Sequence, residues 1–169
     1  MYQRVLVPVD GSETSNRGLD EAIQLARLTG GRIRLVHGID SLIFSTGLDL
    51  ASDDLVGVLV DAGAQILCEA KARVEASGLA VDTYFPETLG GRICDMVVEQ
   101  AKLWHAELIV IGTHGRRGVG RLLMGSDAEQ IVRAAPVPVL LVRSKEVRAG
   151  VESSVSTGAT VPKTKAIAA

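Results

Sequence analysis

Five short runs rich in Val, Leu and Ile recur along the chain, and segments with helical spacing separate them. An alternation of this kind is typical of parallel strands that right-handed helical crossovers connect. The predicted strands are Arg4 to Asp10, Arg32 to Gly38, Val81 to Phe85, Leu108 to Gly112 and Val137 to Arg143. The pattern therefore predicts an α/β fold with an open five-stranded parallel sheet and helices on both faces.

The four segments between the strands place apolar residues at intervals of three or four, as one buried helix face requires. For the first helix, Ser12 or Thr14 is available as the N-cap and Gly30 as the terminator. The second helix is expected to end near Gly78, the third to begin after a Gly-Gly pair, and the fourth to end before Pro136. Strands and helices are thus predicted to alternate from one end of the domain to the other.

The chain has 169 residues, which suits one domain of ordinary size. We assign residues 1–146 to this domain, because the composition changes after it. Residues 147–169 are rich in Ser, Thr, Ala and Gly, contain no aromatic residue and show no apolar period. This C-terminal tail is predicted to be flexible. The alternative is that it docks on a neighbouring surface through Val151, Val155 and Val161.

The formal net charge of −2 provides no general attraction to a polyanion, so nucleic acid is not expected as the main partner. The apolar run at the N-terminus is too short for the core of a signal peptide. No segment approaches the roughly 20 apolar residues that a helix needs to cross a bilayer. We therefore expect a cytoplasmic protein without a membrane partner.

Neither the cysteines nor the histidines have the spacing of a metal or catalytic site. Cys68 and Cys94 lie within helical patterns, and we interpret both as core residues. His114 has no recognisable Ser or Cys partner in a triad-like arrangement, which argues against a nucleophilic hydrolase. The other two histidines, His37 and His105, lie far from it in sequence, so metal ligation is not expected.

A glycine-rich segment, GTHGRRGVGRLLMGS at residues 112–126, follows the fourth strand and leads into the fourth helix. So many glycines destabilise a regular element, and a loop is therefore expected. Glycine allows backbone N–H groups to approach a ligand closely, and successive N–H groups can form an anion-binding nest. The helix that starts at Ser126 adds its own N–H groups and partial positive charge. The segment therefore predicts a phosphate-binding loop.

Two well-known phosphate loops do not match this segment. A Walker A loop requires Lys and then Ser or Thr after its second glycine, whereas Arg121 and Leu122 follow Gly120. A dinucleotide fingerprint requires a third glycine three positions after the second, where this chain has Leu123. The fingerprint would also follow the first strand rather than the fourth.

The spacing that does match is glycine, two residues, glycine, nine residues, glycine and then Ser or Thr, at Gly112, Gly115, Gly125 and Ser126. This pattern resembles the nucleotide-binding motif of ATP-binding universal stress proteins. The resemblance extends over almost all of residues 1–143, including a first strand that ends in Pro-Val-Asp-Gly-Ser, AELIVIGTHG, GSDAEQIV and the closing VPVLLVR. It implies a Rossmann-like sheet with strand order 3-2-1-4-5 and a homodimer that pairs through the fifth strand, Val137 to Arg143.

The resemblance also implies an adenine nucleotide as ligand, either ATP or AMP/ADP, with or without Mg²⁺. In open α/β sheets a ligand binds at the carboxyl ends of the strands where the strand order reverses, and the glycine segment lies there. Asp10 is implied to face the ribose or the phosphates, and Val36 to bond adenine through its backbone. The candidate nucleotide-binding residues are Pro8, Val9, Asp10, Val36, Gly112, His114, Gly115, Arg116, Gly125, Ser126 and Asp127.

Several of these residues have a structural interpretation as well. Asp10, followed by Gly and Ser, commonly makes a turn that caps the next helix. Ser126 and Glu129 are spaced as a capping box, in which the serine oxygen accepts a bond from the Glu129 N–H. Asp127 stands where many ATP-binding relatives have an apolar residue, and its carboxylate competes with a phosphate for the helix N-terminus. Arg116 and its neighbours Arg117 and Arg121 either neutralise the outer phosphates or belong to a solvated loop.

The expected function is that of an ATP-binding universal stress protein, a nucleotide-dependent regulator in the stress response whose protein partner is not identified by the sequence. One alternative is a slow ATPase or phosphotransfer enzyme, although no general base that would position water is evident. Another is a stress-induced dimeric interaction module that binds no nucleotide.

Overall fold

The computed structural model describes residues 1–39, 53–86, 91–113 and 124–143, with the side chains of 53–55 excepted. Within these ranges strands and helices alternate strictly, as predicted. In chain order the elements are β1 (Arg4–Pro8), α1 (Glu13–Thr29), β2 (Arg32–Val36), α2 (Asp53–Ala76), β3 (Val81–Tyr84), α3 (Ile93–Leu103), β4 (Leu108–Gly112), α4 (Ser126–Ala134) and β5 (Val139–Val142). The predicted bounds of β4 agree with the structure, whereas the other predicted strands included one to three flanking turn residues.

The five strands form one parallel sheet in the order β3-β2-β1-β4-β5, which confirms the predicted topology. β1 is the central strand, and Val5 pairs with Ile33 of β2 on one side and with Leu108 of β4 on the other. The direction of strand progression therefore reverses between β1 and β4. β3 and β5 are the edge strands.

Helices cover both faces of the sheet. α1 and α2 pack on one face, where Val5, Val7 and Leu35 have no exposed surface. α3 and α4 pack on the other, where Leu6 and Ile109 are equally buried. Because the central strands are buried on both sides, they consist of continuous apolar runs rather than of alternating apolar and polar residues. None of the helices in the described ranges combines the length and the apolar character needed to cross a membrane.

Both predicted ends of α1 are confirmed. Ser12 is the N-cap, and its hydroxyl oxygen accepts a hydrogen bond of 3.2 Å from the Ser15 N–H. Gly30 ends the helix in the left-handed conformation, with φ of 66°, and its N–H donates to the Ala26 carbonyl. A residue with a Cβ is strained at this φ, which explains why a glycine terminates the helix.

The predicted capping box of α4 is wrong. The N-cap is Gly125, whereas Ser126 is already the first helical residue and makes no side-chain capping bond. The Glu129 N–H donates instead to the Gly125 carbonyl, at 2.9 Å. The physical reason is a long-range hydrogen bond, in which the Gly125 N–H donates to the Thr113 carbonyl at 2.8 Å. This bond fixes Gly125, so the helix begins after Gly125 and not after Ser126.

The two cysteines have different environments. Cys94, in the first turn of α3, is 4% exposed and confirms the core interpretation. Cys68 is exposed, and the core interpretation was wrong for it. It lies one position beyond Leu67, which belongs to the buried face of α2. Burial and then the negative charge of Asp95 raise the pKa of the Cys94 thiol.

We expect a maleimide to label Cys68 and leave Cys94 unmodified in the native protein near neutral pH. Cys94 is shielded by burial, and its raised pKa keeps it protonated and unreactive. The check is mass spectrometry of the labelled protein, with Cys68→Ser as the control, which should label only after denaturation. Rapid native labelling of Cys68→Ser would contradict the buried position of Cys94.

Candidate functional site

The carboxyl edge of the sheet is open between its two central strands. The β1–β2 register continues to the pair Pro8↔Val36, whereas the described β1–β4 register ends at Leu6↔Ile109. The Val9 N–H donates to the Val36 carbonyl of β2 at 2.9 Å. Because successive backbone nitrogens of a strand point to opposite sides, the nitrogen of the preceding residue, Pro8, points toward β4. A proline nitrogen carries no hydrogen, so β1 offers no donor to β4 there. The strands thus separate where the topology predicts a ligand crevice.

The chain leaves β1 through a tight turn built by Asp10. The carboxylate Oδ1 of Asp10 accepts the Ser12 N–H at 2.9 Å, and Gly11 between them has a φ of 78°. The Asp10 N–H in turn donates to the Ser15 hydroxyl oxygen at 3.2 Å. The structural interpretation of Asp10 as a turn residue is therefore confirmed. A carboxylate oxygen can accept more than one hydrogen bond, so this turn is compatible with a ligand contact.

A buried histidine fixes the end of β1 from the other side. The His37 Nδ1 donates to the Val9 carbonyl at 2.7 Å, and its ring stacks on Phe85 with centroids 5.7 Å apart. Gly63 of α2 lies against this ring, since a Cβ there would be 2.8 Å from His37 Cδ2. Sequence reasoning missed this role for His37. The signal that could have found it is a glycine inside a long helix, which costs helix stability unless close packing requires it.

Gly112 is required by packing as well as by the motif. A Cβ at this position would lie 2.7 Å from the carbonyl carbon of Thr14, in the first turn of α1. Gly18 lies on the same side, where a Cβ would be 3.3 Å from the Gly112 nitrogen. The first turn of α1 therefore rests directly on the end of β4. This contact brings the N-cap of α1 to the same edge as the glycine segment.

The two ends of the glycine segment are bonded to each other. The Thr113 N–H donates to the Val142 carbonyl of β5 at 2.9 Å, and the Thr113 carbonyl accepts the Gly125 N–H at 2.8 Å. α4 then begins at Ser126, and its first helical bond runs from Glu129 to Gly125. The amides of the first turn precede that bond and lie at the carboxyl edge of the sheet, as helix N-termini do in this type of fold.

The charges at this edge are mixed. Asp127 and Glu129 lie in the first turn of α4, where negative charge complements the helix dipole. Arg92, the residue before α3, donates a hydrogen bond to Gln130 of α4. Both charges also act on Cys94, because the negative charge of Asp127 raises the pKa of that thiol and the positive charge of Arg92 lowers it. An anion bound here would be repelled by Asp127 and attracted by Arg92.

The structure brings together a large part of the predicted set. Its described members at the carboxyl edge are Pro8, Val9, Asp10, Gly112, Gly125, Ser126 and Asp127. Val36 ends β2 nearby, but it is 1% exposed and its carbonyl accepts the Val9 N–H. His114, Gly115, Arg116, Arg117 and Arg121 lie outside the described residues. In the parts of the chain that the structure describes, no three His, Cys, Asp or Glu side chains come together as a metal site would require.

The fold is that of a doubly wound α/β protein, and the candidate ligand site lies at its topological switch point. A model of the universal stress protein family matches residues 1–143, and the chain belongs to this family. A universal stress protein of Methanocaldococcus jannaschii is 32% identical over 145 residues, which cover 85% of this chain and 83% of the relative. The solved structure of the hypothetical protein MJ0577 has a TM-score of 0.77 at 25% identity, over 86% of this chain and 99% of its own.

Two further structures of the family contain adenine nucleotides. A universal stress protein in complex with cAMP has a TM-score of 0.62 at 27% identity, over 85% of this chain and 99% of its own. The universal stress protein of Archaeoglobus fulgidus in complex with dAMP has a TM-score of 0.62 at 25% identity, over 83% of this chain and 98% of its own. Similar chains of this fold thus bind nucleotides that carry adenine.

Replacing Gly112 by alanine is expected to reduce the free energy of unfolding by about 1–3 kcal/mol, because the new Cβ meets helix backbone that cannot rotate away. The melting temperature should fall by roughly 3–10 °C for a chain of this length. Thermal unfolding without ligand measures this effect.

The matched control is Gly57→Ala in α2, where a Cβ meets nothing within 4 Å. This variant should be neutral or more stable by up to about 1 kcal/mol, since alanine favours helix. If Gly112→Ala melts like the unmodified protein, the packing explanation of this glycine is wrong.

Proposed function

We propose that this chain binds an adenine nucleotide, ATP in the first place, and acts as a cytoplasmic nucleotide-dependent regulator in the stress response. One observation carries the proposal. The Asp10 turn, the end of β4 at Thr113 and the first turn of α4 at Ser126 converge where β1 and β4 separate. An adenine nucleotide consists of a base, a ribose with hydroxyl groups and negatively charged phosphates. The elements at this edge offer backbone amides to the phosphates and the Asp10 carboxylate to the ribose.

The phosphates are proposed to bind at the first turn of α4. Because the Gly125 N–H already donates to Thr113, the donors of this turn begin with the Ser126 amide. The Ser126 side chain is exposed and makes no capping bond, so its hydroxyl is available to a phosphate oxygen. The remaining motif residues, His114, Gly115 and Arg116, are proposed to complete the phosphate site.

The sugar and the base are proposed to lie nearer to β1 and β2. Asp10, with Pro8 and Val9 before it, contacts a ribose hydroxyl or reaches a phosphate through Mg²⁺, since two anions do not bind each other directly. Adenine is placed beyond the end of β2 at Val36. The complexes of similar chains with cAMP and dAMP support an adenine ligand.

The nucleotide is proposed to act by ordering the glycine segment, and a partner protein or the second subunit senses that change. Catalysis is not required for this role. In the described part of the chain, Asp127 lies in the first turn of α4, where its carboxylate complements the helix dipole, and Asp10 accepts a hydrogen bond in the turn after β1. We therefore propose a regulator rather than an enzyme.

The second subunit is proposed to pair with the edge strand β5. Leu140 is 41% exposed and Leu141 is 38% exposed, although both lie in a strand. Val132 of α4 is 39% exposed, and Met124, two residues before that helix, is 37% exposed. An apolar edge strand promotes aggregation unless another chain covers it, and a homodimer is the simplest cover.

We expect freshly purified protein to release ATP when it is denatured and the supernatant is chromatographed. Added ATP should also raise the melting temperature of nucleotide-free protein, because a ligand that binds the native state stabilises it. Protein that carries no nucleotide and shows no shift at millimolar ATP would contradict the proposed function.

Asp127→Asn is expected to tighten ATP binding by about two- to five-fold, because it removes a carboxylate that competes with phosphate at the start of α4. Asp95→Asn is the matched control, since Asp95 occupies the first turn of α3 instead. Calorimetric titration of both variants measures the change in dissociation constant. Equal affinities of Asp127→Asn and Asp95→Asn would show that phosphate does not bind at α4.

Leu140→Glu is expected to convert the dimer into a monomer, because it places a charge in the apolar edge of β5. Val58→Glu in α2 is the control, since Val58 is also exposed but lies away from this edge. Analytical ultracentrifugation gives the mass of each species. A Leu140→Glu variant that remains dimeric would exclude β5 as the interface.

A further inference from the structure

The amino end of the sheet, opposite to the proposed nucleotide site, carries a row of arginines. Arg4 begins β1 and Arg32 begins β2, and the two are directly in register. Their side chains therefore lie next to each other, on the face that α3 covers. Arg34 follows two residues later on the same face of β2. We call Arg4, Arg32, Arg34 and Trp104 the amino-end cluster.

Trp104 holds two of these arginines in place. The guanidinium carbon of Arg32 lies 5.6 Å from the indole ring centre, and that of Arg34 lies 5.1 Å from it. Both distances allow cation–π attraction. The indole is itself fixed, because it is 7% exposed and its N–H donates to the Asp82 carboxylate at 2.9 Å. The arginines are therefore held on a rigid aromatic base.

The positive charges of the cluster are only partly balanced. Arg34 has Asp82 at 3.6 Å and the Gln100 amide oxygen at 3.3 Å. Arg4 has Glu107 at 3.9 Å, beyond hydrogen-bonding distance, and its Nε has no hydrogen-bond partner in the described structure. Arg32 forms no ion pair with any described carboxylate.

Like charges in register destabilise a sheet, so an unbalanced pair here is a cost to the fold. The chain as a whole has a net charge of −2, so the excess of positive charge at the amino end is opposite in sign to the net charge of the protein. A ligand that brings negative charge would relieve this cost. Arg32, exposed and held over the indole, is the cation best placed to bind it.

A cleft of about 460 Å³ lies beside Arg4. Its lining is apolar at Ala101, Ala106, Pro136 and Val137. Besides Arg4, the polar lining residues are Lys102, His105 and Glu107, so two formal positive charges face one carboxylate. This volume is in the range of ligand sites in proteins and accommodates a large apolar side chain. Positive charge next to an apolar cleft fits a partner that carries carboxylates beside one apolar residue.

We propose that the amino end of the sheet is a docking site for an acidic peptide segment of a partner protein. Arg4 and Arg32 bind its carboxylates, and one apolar side chain enters the cleft. A nucleic acid fits less well, because the chain has a net charge of −2 and the cleft is lined largely by apolar residues, which a phosphate backbone does not contact favourably. The site is separated from the carboxyl edge by the length of β1, roughly 15 Å for a five-residue strand. It does not depend on the proposed nucleotide function.

The test uses the full chain and a fluorescein-labelled peptide, Glu-Glu-Glu-Leu-Glu-Glu-Glu, in fluorescence anisotropy at low salt. The double variant Arg4→Gln/Arg32→Gln should weaken binding at least about ten-fold. The matched control, Lys71→Gln/Arg73→Gln, loses the same charge from surface ion pairs of α2, on the opposite face of the sheet, and should change binding less than two-fold. Melting curves verify that both variants fold.

A gain-of-binding variant keeps the test independent of folding defects. Glu107→Gln removes the carboxylate that lies nearest to Arg4 and should tighten peptide binding by about two- to five-fold. An isosteric peptide in which Gln replaces Glu should bind the unmodified protein and Glu107→Gln far more weakly than the acidic peptide does.

Several outcomes would overturn the proposal. They are no measurable binding of the acidic peptide, equal weakening by the control pair, and unchanged binding in Glu107→Gln. Arginine-dependent binding of single-stranded DNA that is tighter than that of the peptide would assign the surface to nucleic acid instead. Loss of self-association in Arg4→Gln/Arg32→Gln would assign it to a second copy of this chain.

Discussion

A backbone hydrogen bond that cannot form shapes the carboxyl edge of the sheet, where the candidate site lies. Pro8 has no N–H to donate toward β4, so β1 stays paired with β2 to its end while β4 continues with β5 alone. The separation falls where the strand order reverses, and the turn at Asp10 and the start of α4 reach the same point. A proline at the end of a central strand, beyond the described pairing of that strand with β4, thus positions the elements of the candidate site.

The two proposed sites, one at each end of the sheet, offer different kinds of positive charge. At the carboxyl edge the available groups are backbone amides and helix N-termini, whose positive character is fixed by the fold and cannot be titrated. At the amino end the groups are guanidinium side chains, which an indole ring holds on the sheet. The first arrangement suits compact phosphates that approach the backbone closely. The second suits the longer reach and looser geometry of carboxylate side chains.

Much of the fold could be predicted from the sequence, because the alternation of apolar runs and helical periods is a local signal. The bounds of β4 follow from it directly. The ends of α1 follow from cap residues, with Ser12 and Thr14 as the two sequence candidates for the N-cap and Ser12 as the one that the structure shows. The family resemblance supplied the strand order and the place of the site. The cap of α4 could not be predicted, since it depends on a bond from Gly125 to Thr113 across a loop. Likewise, the contact of Gly112 with Thr14 joins residues that are distant in sequence.

Trp104 is the single tryptophan of the chain, and it lies in the amino-end cluster. Its environment is set by two nearby cations and by the carboxylate of Asp82, and the emission of an indole responds to such charges. The chain therefore carries one indole chromophore, located at the amino end of the sheet. Tryptophan fluorescence therefore reports on ligand binding or structural change at the amino end without an attached dye. A ligand at the carboxyl edge alters this emission only if the strands between the two ends transmit a structural change.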